Sequence, residues 1–88
     1  MLAVVPNPVR GEAWAAVILD QPTSVATVVL DVAGNVVQFR DWGYQARGRN
    51  LLKLELQTLA PGAYFVVPQA RESTGAKTLA TFKLAVIK

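Results

Sequence analysis

Neither cysteine nor histidine occurs in this chain of 88 residues, and charged residues are sparse at 17%. Without cysteine there are no disulfide staples, no thiol nucleophile and no structural zinc site of the usual kinds. Without histidine the commonest general base and the commonest metal ligand are missing. Glu12, Glu55 and Glu72 have no partner at a spacing that suggests paired acid–base work, and no phosphate-cradling glycine loop is present. The chain therefore reads as one that is not an enzyme and takes neither cofactor nor metal.

Long hydrophobic runs are also lacking. The longest wholly apolar run, residues 13–19, is far short of the roughly 20 residues that a helical membrane span needs. No basic start precedes a hydrophobic core, so an exported protein would carry its signal peptide elsewhere, and this sequence is expected to be a piece of a longer precursor. The net charge of +3 is mild, and its basic residues are spread out except for Arg40, Arg47 and Arg49 around one loop. A nucleic-acid partner is not expected, since such binders concentrate more charge on one face. Nothing in the sequence fixes the oligomeric state.

What is present is apolar and alternating. Hydrophobic residues make up 52% of the chain, too many for a disordered segment and enough for one compact domain over residues 1–88. β-Branched and aromatic residues cluster in short runs with Gly, Pro, Asn and Asp between them, the pattern of strands joined by turns. Expected strands cover residues 2–5, 14–19, 25–32, 36–42, 51–57, 64–69 and 77–87. In the third, Ala26, Val28, Leu30 and Val32 share one face while Thr27 and Asp31 share the other, as in a half-buried strand. Asp31, Gly34 and Asn35 then supply a tight turn, and a return strand with Val37 and Phe39 on one face completes a hairpin. Residues 43–50 read as a polar loop. Leu52, Leu54 and Leu56 point inward two apart, as do Phe82, Leu84 and Val86. Pro61 and Gly62 form a corner, and Tyr64 follows where immunoglobulin-like domains place a tyrosine that bonds back to the backbone. About seven short strands with regular turns predict an all-β, two-sheet antiparallel sandwich of immunoglobulin-like type. Pro68 takes a donor from its strand, which is expected to bulge or run along an edge there.

Four ordered stretches carry a resemblance. They are Val4-Val5-Pro6-Asn7-Pro8 near the start, the hairpin from Val28 through Asp31 and Gly34 to Val37, the leucine-rich strand leading into Pro61-Gly62-Ala63-Tyr64, and the closing Phe82-Lys83-Leu84-Ala85-Val86-Ile87-Lys88. Together they resemble the C-terminal sorting domain of type IX secretion. Leu30 and Pro68 depart from that family's usual pattern.

The resemblance implies a non-catalytic domain that directs an upstream cargo through the type IX outer-membrane translocon. A sortase-like peptidase would then remove it, cutting before Pro6. It implies passage through the periplasm and arrival at the cell surface or outside. It also implies that the final strands, with Tyr64, Lys83, Leu84, Val86 and Lys88, carry the sorting signal. The remaining motif residues Pro6, Asn7, Pro8, Asp31, Gly34, Pro61 and Gly62 are read as structural.

A different reading attaches to one loop. Trp42 and Tyr44 beside Arg47 could stack on sugars, making the chain an immunoglobulin-like accessory or carbohydrate-binding module; alternatively Trp42 caps the open end of the core. Trp14, among alanines, is expected in the core. Asp20, Asp31 and Asp41 fall on separate elements, so Asp31 reads as a turn cap rather than a calcium ligand.

Overall fold

A computed structural model describes residues 3–5 and 10–87. Pro6, Asn7, Pro8 and Lys88 lie outside the described residues. Strand β2 (Glu12–Leu19) sends Ala13, Ala15, Val17 and Leu19 into the core and turns Trp14 and Ile18 outward. It pairs antiparallel with β5 (Gly48–Glu55) on one side and with β1 (Ala3–Val5) on the other, giving a three-stranded sheet β1-β2-β5. The alanines leave room for Leu52, Leu54 and Leu56, all buried. Trp14 is thus not core as expected: period-2 alternation commits it to the face opposite Ala13 and Ala15, where it is 41% exposed.

The second sheet is built on β3 (Thr23–Asp31), flanked by β4 (Val36–Gln45) and β6 (Gly62–Glu72), all antiparallel. The outer side of β6 is covered by two short strands, β7 (Gly75–Thr78) and β8 (Phe82–Val86). The single closing strand expected over residues 77–87 is therefore broken. The break lies opposite Pro68, whose carbonyl accepts the Leu79 N–H at 2.9 Å but whose nitrogen has no hydrogen to return. Because β7 and β8 share one edge of β6, eight strands among the described residues fill the seven positions of the expected sandwich. The order β1-β2-β5 against β4-β3-β6 with β7 and β8 beyond is consistent with the immunoglobulin-like arrangement.

Two further expectations change. On β3 the core receives Val25 and Val29, with Thr27 between them at 1% exposure, while Ala26, Val28 and Leu30 take the outer face. Thr27 can be buried because its hydroxyl oxygen accepts the Trp42 Nε1–H at 2.9 Å. Residues 43–50 are not a loop: β4 runs to Gln45 and β5 starts at Gly48, so only Ala46 and Arg47 lie between these two strands where the chain crosses from one sheet to the other. Gly43 and Gly48 at φ 72° and 101° let the chain turn that sharply, and the Asn50 side-chain amide donates to the carbonyls of Ala46 and Gly48. Asp41 consequently lies within β4, not at its end.

Candidate functional site

Asp31 closes β3 and organises the hairpin turn. Its Oδ1 accepts the backbone N–H groups of Ala33 and Asn35, each at 2.9 Å, and its own carbonyl accepts the Gly34 N–H at 3.0 Å. Gly34 sits at φ 87°, a conformation that a side chain would strain. The Asn35 N–H, more than any other contact, holds the Asp31 carboxyl below its ordinary 3.8. A depressed carboxylate contributes stability that is present above the unfolded value and lost as pH falls through the folded one. Asp31→Ala is therefore expected to melt below the wild-type chain at neutral pH. The two melting curves converge as pH drops below 3.8, read by circular dichroism across a pH series.

Tyr64 stands near the start of β6 and is 7% exposed; its hydroxyl donates to the Ala60 carbonyl at 2.5 Å, closing the corner that Pro61 and Gly62 begin. The closing strand β8 lies directly against it, with Leu84 opposite Tyr64 and Phe82 opposite Val66. Leu84 and Val86 are 1% and 2% exposed, so they hold the strand down and are not offered to a partner in the folded domain. Lys83 is on the outer face, opposite Phe65. Of the five residues assigned to the signal, Lys88 lies outside the described residues; the fold brings the other four, Tyr64, Lys83, Leu84 and Val86, together at one edge of the second sheet, and of these four only Lys83 presents its side chain outward.

The aromatic loop residues are separated. Trp42 is half-buried against the core with the Arg40 guanidinium 4.2 Å from its ring centroid, and it lines a hollow of about 340 Å³ with Gln38, Lys53 and Glu55. Tyr44 is 75% exposed and borders a different hollow of about 330 Å³ with Asp20, Glu72 and Lys77. Arg47, in the two-residue connection, lines neither. Asp41 accepts the Gly43 N–H at 2.8 Å. Among the described residues, no three acidic side chains gather where a metal could be held.

Sequence reasoning missed the outer face of the second sheet. Two cross-strand rows run over it, Phe39–Val28–Val67 and Val36–Leu30–Phe65. Phe39 and Val36 are 52% and 61% exposed, and the Arg71 side chain reaches across to place its guanidinium 5.8 Å from the Phe39 ring centroid. The alternation in residues 25–32 and 36–42 carries the signal, but alternation alone does not say which face meets the core.

Residues 3–81 match the family model described as the secretion system C-terminal sorting domain. The match takes in β1 through β7 and leaves β8 beyond its end. No curated protein and no solved structure matches the chain at a significant level.

Proposed function

The chain belongs to the C-terminal sorting domains of type IX secretion, and from that membership we propose the route that its cargo takes. A sorting domain acts as an address on the protein to which it is joined, directing it into the type IX machinery and toward the cell surface or the outside; its work is recognition, not catalysis. The observation that carries this is the match over residues 3–81, on a chain whose Asp31 turn and Tyr64 corner are both formed.

In the proposed route the domain folds in the periplasm, docks on the outer-membrane translocon and is removed there by a sortase-like peptidase. The cut lies before Pro6. Residues 1–88 form one domain and act as a unit. Cargo joined upstream supplies whatever activity the whole protein has.

The route is tested by fusing the chain to a reporter in a host that carries type IX secretion. Surface reporter is expected to yield no peptides from residues 10–87 by mass spectrometry. Reporter trapped in the periplasm of a translocon-deficient strain is expected to yield them. Surface reporter that keeps those peptides would remove the cleavage step from the route.

A further inference from the structure

The broad outer face of the second sheet has the features of a protein-binding surface rather than of a solvated one. A sheet with one face in water ordinarily shows polar residues there. Here two adjacent rows are apolar throughout, Phe39–Val28–Val67 and Val36–Leu30–Phe65.

The edges of this sheet are poor sites for an added strand. On β4, register shifts leave Val37 and Trp42 without directly opposed partners, and such bulges twist an edge away from further pairing. At the other edge the β7–β8 line is interrupted between Thr78 and Phe82. Recognition by strand addition is therefore disfavoured, and the face remains.

Charge distinguishes this face from the opposite one. Over the first sheet, Trp14 lies beneath Lys53, and Lys53 is already paired with Glu12 at 2.6 Å. Over the second sheet, Arg71 rests on Phe39 with no carboxylate partner among the described residues. The carboxylate of Asp41, on the same face, is engaged by the Gly43 N–H. An arginine held over an exposed aromatic ring, beside half-buried aliphatic side chains, is the composition of an interface hot spot. What the Arg71 guanidinium lacks is a carboxylate partner among the described residues.

We infer that the outer face of β4, β3 and β6 docks onto an apolar protein surface bearing carboxylates, contributed by the secretion machinery, with Phe39 and Arg71 as its anchors. This rests on the sorting role and adds the surface through which it is exerted.

The test uses the reporter fusion with a photo-crosslinking amino acid at position 39 or, as the opposite-face control, position 51. Crosslinking to a component of the secretion machinery, identified by mass spectrometry, is expected from position 39 and not from position 51. Phe39→Glu combined with Arg71→Glu is expected to cut surface reporter by about tenfold or more, the loss of a hot-spot pair, whereas Leu51→Glu leaves it unchanged. Melting curves of the purified chains accompany each variant; should the double variant not fold, the position-39 crosslink decides. If the unaltered chain exports its reporter and the folded double variant exports it equally, the docking surface is wrong and the sorting role stands. If the unaltered chain exports nothing, both fail. A dimer broken by Phe39→Glu without loss of export assigns the face to a second copy of the chain, and crosslinking to lipid alone assigns it to a membrane; either result overturns the inference.

Discussion

Leu84→Ala is expected to lower the melting temperature of this domain by roughly 10–25 °C. The side chain is 1% exposed, and it lies opposite Tyr64 in the pairing of β8 with β6. Truncating a buried leucine costs about 2–5 kcal/mol, because the transfer free energy is lost and a cavity is left where the surroundings cannot collapse. In domains of this size each kcal/mol moves the midpoint by about 4–8 °C. The lower part of that cost, about 2–3 kcal/mol, applies, since β8 is a short edge strand whose surroundings can partly close over the gap. Thermal denaturation followed by circular dichroism measures it. A shift of only a degree or two would mean that β8 does not seal the core.

Deletion of residues 82–88 from the reporter fusion is expected to bring surface delivery down to background. Two causes converge on that outcome. The deletion takes away the strand that pairs beside the buried Tyr64 and Val66 and frees the β6 edge from residue 62 to residue 66. It also removes Lys83, the one signal residue of β8 whose side chain points outward beside the proposed docking rows. Lys83→Glu separates the two causes, for it alters the outward charge and leaves the inward side chains in place. Equal loss from Lys83→Glu and from the deletion assigns the signal to the surface; loss from the deletion alone assigns it to the fold. Delivery that survives the deletion removes the final strand from the signal altogether. That outcome would accord with a family match that ends at residue 81.

Much of the architecture was legible because strands advertise themselves by alternation and turns by their special residues. The hairpin at Asp31 and Gly34 and the corner at Tyr64 formed as the residue types imply, since each depends on bonds within four residues. Which face of β3 meets the core was not legible. Ala26, Val28 and Leu30 are no less apolar than Val25, Thr27 and Val29, and the choice is made by Trp42, fifteen positions away, which supplies a donor for the Thr27 hydroxyl oxygen. Trp14 was misplaced for a related reason: burial went to the small Ala13 and Ala15, whose size matters only once Leu52 and Leu54 stand opposite. The sheet crossover at Ala46 and Arg47 resembled a loop because two glycines and an asparagine permit either, and only the bonds from Asn50 decide.

The candidate site divides in the same way. Sequence order located the closing strand, and the fold then showed that two of its signal residues, Leu84 and Val86, face inward. Read from the folded domain, the address is proposed to lie in backbone, in Lys83 and in the outward rows around Phe39. Those rows were visible as alternation but carried the opposite meaning until the core face of β3 was known.

The most direct measurement is surface delivery of a reporter joined to residues 1–88 in a type IX-competent host and in its translocon-deficient counterpart. Surface reporter in the first strain and retention in the second is the result that a sorting domain predicts. Equal delivery in both strains, or none in either, would contradict it.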